Sequence, residues 1–487
     1  MRKKLAVIII ALVAFSVRFY NLGGPPLFFD ESIHATILKS LFSGSYRYNP
    51  AYHGPLLYYL LYIPVQVLGE TEFSLRLMPA LIGIFVALIP LAYRRFIGFN
   101  TAILSSVLVA ISPIIVNYSR FCRADIFQLF LTALFTYFIF RYLESDAKLT
   151  ETRFDRKHIV MAFICLALFA TLKETFYPFI AIFLLFFVFD IKRFRIGDLL
   201  LSIAVFFLIY ASLYTNFFTY TAPLTNFSEF PAVKAVSYWK YQHDIARIAG
   251  PWYYYLELIL LYDFPAFVLA IFAVALMIKK RERSEFESFI AFWFIASLIF
   301  FSYMQEKVPW LAVHILFPMY ILTGIGINKI NSRKLRIAAA IACIAFSAYG
   351  MIAANILNPV NPAEPALYLP TQYDVKEFAE KTKNDTIYVF TNIGEYWPLA
   401  WYLKDHRAYF ITTGVEGRTF RHGDYIVVNQ TNEKQLDKTY LEKQGVMVVR
   451  CWTFWTQPDF TKIPEFLVWR RPLTDVSCMN FSVYVAK

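Results

Sequence analysis

The sequence predicts a mainly α, polytopic membrane protein that ends in a small α/β domain outside the membrane. Three observations lead there. Of the 487 residues, 58% are hydrophobic, 19% aromatic and only 17% charged, more apolar surface than a soluble chain of this size can hide. The basic residues behind the formal net charge of +12 gather in short loops between apolar runs, which is the positive-inside pattern rather than a basic groove, so no nucleic-acid partner is expected. From about residue 358 the long apolar runs stop and short alternating elements begin.

The chain opens with Met1-Arg2-Lys3-Lys4 and an apolar run. No small-residue cleavage site follows, so it reads as a retained first helix, 5–20, with its basic start in the cytoplasm. Residues 21–74 form a long outer loop containing two amphipathic helices, 32–42 and 55–68, too short to cross and separated by the polar turn 43–49. Further spans are expected at 75–93, 101–116, 126–143, 159–171, 175–189, 199–214, 253–278, 289–303, 310–327 and 337–356, eleven in all, with a second long outer loop at 215–251. On an alternating path Arg94-Arg95, Arg156-Lys157, Arg193-Phe194-Arg195 and Lys279-Lys280 all fall inside, and an odd span count puts the C-terminus outside. The Asn-x-Ser/Thr sequons at Asn117, Asn226, Asn384, Asn429 and Asn480 all fall outside.

The division is therefore a membrane domain, 1–357, and an extracytoplasmic α/β domain, 358–487, joined by the Pro-rich stretch 358–365. In the second, helices are expected at 374–382, 397–403 and 433–443, and strands at 386–391, 408–412, 425–429 and 446–451. No GxGxxG, P-loop or nucleophile elbow occurs there. The five cysteines have no CxxC spacing, against a zinc or redox framework. Cys451 and Cys478, in an oxidising compartment, either pair or stay as buried thiols.

Ionisable residues at the outer edge carry the chemistry. Asp30 and Glu31 stand side by side just past the first span, after Gly23-Gly24-Pro25-Pro26. Carboxylates this close to hydrocarbon are costly to desolvate, so they are paired, metal-bound or at work; the plain alternative is that they cap the helix that follows. His34, His53, Arg120, Arg123, Asp125, Lys173, Glu174, His243 and Lys307 reach the same side. A lipid-linked sugar phosphate needs cations near its phosphate, for which Arg120, Arg123 and Lys173 are candidates, and a carboxylate to take a proton from the attacking hydroxyl. Headgroup snorkelling is the alternative for the arginines, a local ion pair for Lys173-Glu174, and structural hydrogen bonding for His53 and His243 against a shared metal.

Six stretches bring a family into view: Phe28-Phe29-Asp30-Glu31-Ser32-Ile33-His34-Ala35, Tyr52-His53-Gly54-Pro55, Tyr118-Ser119-Arg120-Phe121-Cys122-Arg123-Ala124-Asp125, Thr171-Leu172-Lys173-Glu174, Lys307-Val308-Pro309-Trp310 and Trp397-Pro398-Leu399-Ala400-Trp401. With them the chain resembles the GT-C glycosyltransferases that use polyprenyl-phosphate sugars, relatives of the protein O-mannosyltransferases and the lipid A aminoarabinose transferases, and above all the archaeal family labelled flippase-activity-associated.

The resemblance implies a GT-C-like membrane domain with Asp30 as general base, Glu31 supporting it or touching a metal, and Asp125 as the second acidic residue. It places Lys173 near the lipid phosphate, with Arg120, Arg123 and Lys307 as further donor-binding cations. His243 corresponds to a histidine that helps hold a divalent metal in the lipid A enzymes. The partner glutamate there precedes a Lys-Pro pair, where this chain has His53-Gly54-Pro55. The expected function is inverting transfer of a sugar from a polyprenyl (dolichyl-type) phosphate to a protein, lipid or glycan acceptor on the outer face. The rival is a flippase or transport component that moves lipid-linked sugars without transferring them, which would favour polar residues at mid-span.

Overall fold

A computed structural model describes residues 2–146, 152–188, 193–245, 248–280, 283–415, 418–453 and 458–487, and of Arg2, Ser145, Asp146, residues 152–155 and His243 the backbone alone. Each of the eleven expected spans falls on a helix. Among the described residues, seven helices are long and apolar enough to cross a membrane, and the bent pair Phe99–Ile111 and Pro113–Ser119 makes an eighth if it is one span. The count of eleven is not reached. Arg2–Phe19 and Thr152–Ala170 each carry four or more charged residues, and Phe176–Phe187 has only 12 residues. The two amphipathic helices of the first outer loop are present, as Phe29–Phe42 and Pro55–Leu68.

Prolines and glycines set the shapes that matter. The 62° bend between Phe99–Ile111 and Pro113–Ser119 falls at Ser112-Pro113. Pro113 cannot continue the preceding ladder but suits a first helical turn, and Ser112 Oγ accepts the Ile115 N–H at 3.3 Å. The bend turns residues 120–125 across the end of the bundle. Pro309–Asn328 is enclosed on all sides, and the other helices pack around it. Gly54 donates its N–H to Leu172 O at 2.7 Å, and Leu56 donates to Thr171 O at 3.1 Å. This pins the Tyr52–Pro55 stretch against Lys173. A Cβ at Gly54 would lie 2.1 Å from the Thr171 carbonyl oxygen.

The C-terminal part is built on a five-stranded sheet. Its strands are β1 (Thr386–Phe390), β2 (Arg407–Ile411), β3 (Tyr425–Asn429), β4 (Leu441–Trp452) and β5 (Ser477–Ala486), in the order β2-β1-β3-β5-β4. β1 pairs parallel with β2 and β3, whereas β5 runs antiparallel to β3 and β4. The expected helix at 433–443 is wrong: only Gln430–Glu433 is helical and the chain enters β4 at Leu441. Its charged, helix-favouring composition loses to strand pairing with β5. β5 and the helix Ile463–Trp469 were not anticipated. Cys451 and Cys478 face each other in register across β4 and β5 and form a disulfide. Asn429, one of the sequon residues, is buried and donates its side-chain amide to Glu395.

This sheet is latched to the first outer loop. Trp401 Nε1 donates to Glu70 at 3.0 Å and Tyr402 Oη to Glu72 at 3.2 Å, while the Leu27 N–H donates to Tyr402 Oη at 2.7 Å. Lys404 pairs with Glu70 and Lys376 with Glu72.

Candidate active site

Asp30 and Glu31, adjacent in sequence, go to different places. Glu31 is fully buried and saturated. Its Oε1 accepts from Arg76 Nε and from the Cys122 N–H, both at 2.8 Å, and its Oε2 from Arg76 Nη2 at 2.6 Å and the Phe28 N–H at 2.9 Å. Arg76 also donates to the carbonyls of Leu22, Pro25 and Pro26 at 3.1, 2.8 and 2.8 Å. The pair therefore ties the Gly-Pro turn, the start of helix Phe29–Phe42 and the 120–125 turn to one point. With the Phe28 N–H bound, Glu31 fulfils the capping role, and it does not line the cavity described next. Arg76 was not among the candidate site residues. A lone arginine at the second position of the expected span 75–93 was the available signal, because such a charge requires a buried partner.

Asp30 opens into a cavity of about 390 Å³, within the usual size of ligand sites, and its side chain is 21% exposed. It is ion-paired to Arg123 Nη1. Arg123 Nε donates to Asp125 Oδ2 at 3.2 Å, and Lys173 Nζ to Asp125 Oδ1 at 2.9 Å. The four charges alternate, Asp30–Arg123–Asp125–Lys173, with Asp125 fully buried between its cations. The Arg123 guanidinium lies over the Trp310 ring, 3.8 Å from its centroid, and Lys173 Nζ lies 5.6 Å from the same ring. Trp310 thus steers both cations while leaving them able to meet an anion. Asp125 positions them and does not itself line the cavity.

His34 and His53 line the same cavity, their rings 5.1 Å apart. Tyr58 Oη donates to the Tyr52 carbonyl and lies 3.0 Å from His34 Nδ1. Its one proton being committed, it accepts from His34, which therefore carries its hydrogen on Nδ1. Burial, helped by the Arg123 and Lys173 charges, pushes His34 down to about 3 and His53 well below the ordinary imidazole value. Glu174, buried in the cavity wall, accepts from Tyr48 Oη at 2.8 Å; burial raises its carboxyl above the usual range.

Two expected donor-binding cations lie elsewhere. Arg120 donates to Asn355 O at 2.6 Å and Tyr20 O at 2.7 Å, away from the cavity. Lys307 gives its ammonium to the carbonyls of Phe301, Ser302 and Met304, closing the C-terminal end of helix Glu285–Tyr303; burial lowers it to about 8. Both cations bind backbone carbonyls that helix ends leave without partners. The expected metal pair, His53 and His243, falls only partly within the described residues. Among the described residues no group of three or more His, Cys, Asp or Glu side chains could hold an ion, and His53 faces two cations. The His243 side chain lies outside the described residues. The described donor set does not fit a metal, and no step is assigned to one.

Comparison with known structures places the fold. ArnT from Cupriavidus metallidurans superimposes with a TM-score of 0.65 in the apo state and 0.62 bound to undecaprenyl phosphate. Identity is 14% in both, with 99% and 98% of this chain and 98% and 97% of those chains covered. The Archaeoglobus fulgidus oligosaccharyltransferase gives a TM-score of 0.58 at 14% identity over 83% of this chain and 64% of its own. The chain thus has the GT-C fold of membrane glycosyltransferases. Residues 52–214 match the family model described as dolichyl-phosphate-mannose-protein mannosyltransferase. An uncharacterized protein of Aquifex aeolicus (strain VF5) is 29% identical over 152 residues, which is 29% of this chain and 30% of that protein's length.

Proposed function

We propose that this protein is an inverting glycosyltransferase that takes a sugar from a polyprenyl (dolichyl-type) phosphate and passes it to a hydroxyl on a protein, lipid or glycan. The reaction occurs at the end of the bundle that carries the cavity and the C-terminal domain, which faces away from the cytoplasm. The boundary between membrane domain and extracytoplasmic domain falls at about residue 358. The observation that carries this reading is the charge chain: a cavity-facing carboxylate, Asp30, held by one of two cations that are themselves anchored on a buried Asp125.

Asp30 accepts the proton of the attacking hydroxyl. The acceptor oxygen forms its bond to the anomeric carbon as the bond from that carbon to the phosphate oxygen breaks, and the lipid phosphate leaves as an anion. Arg123 and Lys173 receive that charge, preorganised over Trp310 at no further reorganisation cost. A single base and a good leaving group suffice, and no covalent intermediate on the protein is needed. The ArnT structure bound to undecaprenyl phosphate and the match to the dolichyl-phosphate-mannose family model support the donor class. The likeness of the relatives and the cavity at one end of the bundle favour transfer over transport.

The test is transfer of label from dolichyl-phosphate [3H]mannose by the full chain in lipid nanodiscs, comparing wild type with Asp30→Asn. Loss of about 10²- to 10⁴-fold is expected for a missing general base. Equal rates in a folded variant would remove Asp30 from the chemistry.

A further inference from the structure

The cavity has a second region that the charge chain leaves unused. Trp239 and Gln242 enter it from one face of helix Pro231–Ile245, Gln305 and Glu306 from the turn after helix Glu285–Tyr303, and Tyr396 and Trp397 from the loop after β1. Three distant parts of the chain converge there. β1 lies between two parallel neighbours, β2 and β3, so the order in which strands are added reverses there, and the loop leaves its carboxyl end. That is where open parallel sheets hold ligands. The loop is braced: Glu395 accepts from Thr391 Oγ1 at 3.1 Å and from the side-chain amides of Asn392 and Asn429 at 3.0 and 2.9 Å.

The chemistry of the region is specific. Gln242, Gln305 and Glu306 spend no side-chain hydrogen bond on another described residue, nor does the Trp397 indole N–H. Planar donors and acceptors are therefore left beside the flat faces of Trp239, Tyr396 and Trp397. A pyranose ring matches this mixture. Its C–H faces, weakly positive, pack on the electron-rich aromatic faces, and its rim of hydroxyls pairs with amide and carboxylate groups. Charge decides against an anion. The cations lining the cavity, Arg123 and Lys173, belong to the charge chain and not to this region, whereas Glu306 brings a carboxylate of its own close to Glu174.

We infer that this region is the acceptor subsite and that it binds an uncharged sugar ring. The acceptor is then a glycan or a glycosylated molecule, presented to Asp30 through one of its own hydroxyls. The word acceptor rests on the transferase reading; the binding of a sugar here does not.

Binding is read without donor by saturation-transfer difference NMR on the full chain in nanodiscs, where no sugar-headed detergent competes. The probes are methyl α-mannopyranoside, a capped Ser/Thr peptide and glycerol phosphate. Saturation of the sugar ring protons is expected, with the apparent Kd rising about tenfold in Tyr396→Ala and in Gln305→Ala, the latter an exposed side chain on which the fold does not depend. Saturation of the peptide or of glycerol phosphate with none on the sugar overturns the inference, as does a sugar signal unaltered in both variants. Dolichyl-phosphate mannose turnover by the same wild-type sample separates the two readings. Turnover onto the peptide without sugar binding sinks the subsite and leaves the transferase. Sugar binding with no turnover onto any probe, and no effect of Asp30→Asn, sinks the transferase and leaves the subsite.

Discussion

Neighbouring carboxylates with opposite duties allow a sharp test. Glu31→Ala removes the partner of three guanidinium and backbone groups that lie out of reach of water: Arg76, the Phe28 N–H and the Cys122 N–H. Breaking a buried ion pair from one side costs about 3–5 kcal/mol, and each orphaned backbone donor adds about 1 kcal/mol or more. Relaxation makes these contributions less than additive, so about 4–6 kcal/mol is expected, a large share of the 5–15 kcal/mol that typically holds a folded domain together. Asp30→Asn disturbs one partly exposed side chain, and the buried Arg123 keeps Asp125 as its ionic partner, so no charge is left uncompensated and a cost of about 1 kcal/mol is expected. Unfolding entropy of about 2.1 cal/mol/K per residue makes about 1 kcal/mol worth about one degree in a chain of 487 residues, so fluorescence-detected size-exclusion chromatography after a heat ramp should place Glu31→Ala roughly 4–6 °C below wild type. Asp30→Asn should melt within about two degrees of wild type and fail in transfer. Glu31→Leu combined with Arg76→Met should recover part of the lost stability, since an apolar pair of similar volume leaves no uncompensated charge. A Glu31→Ala protein that melts with the wild type, or an Asp30→Asn protein that melts with Glu31→Ala, would refute the division of labour.

Three further outcomes follow from the geometry. Gly54→Ala drives a Cβ to 2.1 Å from Thr171 O and should lower both yield and transfer by separating His53 from Lys173, whereas Gly197→Ala, which meets nothing within 4 Å, should match wild type in both. Lys173→Met should raise KM for the lipid-phosphate donor at least tenfold, as loss of a cation paired with phosphate would; Lys307→Met should lower the melting temperature and leave that KM where it is. His34, held near 3 when folded against about 6.5 when unfolded, makes the unfolded state the better proton binder between those values. Stability should thus be full above about pH 6.5 and fall as the pH drops; melting curves from pH 8 to pH 5 check this, and a slope unchanged in His34→Gln would count against it.

Much of the fold is legible in the sequence because hydrocarbon and charge leave coarse marks: each expected span lies on a helix, and the first-loop helices and three of the strands stand close to where periodicity puts them. What misleads is context. The stretch 433–443 has helix-favouring residues, but the strand that pairs with its continuation is Ser477–Ala486, and no local pattern announces that pairing. At the site, adjacency invites a common role for Asp30 and Glu31, and a cluster of basic residues at one edge invites a common role for Arg120, Arg123, Lys173 and Lys307. Residue type gives the charge and the depth. Which charge meets the cavity depends on the direction of a side chain around a helix and on which carbonyls a neighbouring helix end leaves bare, and Arg76, the partner that takes Glu31, sits 45 positions away. The chain Asp30–Arg123–Asp125–Lys173 is readable as four suitable residue types but not as an ordered row.

The latch between the C-terminal sheet and the first outer loop bears on how this protein can be recombined. Glu70 and Glu72 are gripped by Trp401, Tyr402, Lys404 and Lys376, the members of the first two pairs standing 331 and 330 positions apart in the chain. The loop that overhangs the cavity is carried by the same body as those four side chains. A chimera that imports only residues 358–487 from a relative inherits a seam cut for a different surface, and its overhanging loop settles at a different height above Asp30. Grafting 69–76 along with the sheet transfers the fit as a unit. The two segments behave as one heritable module split by the whole length of the bundle.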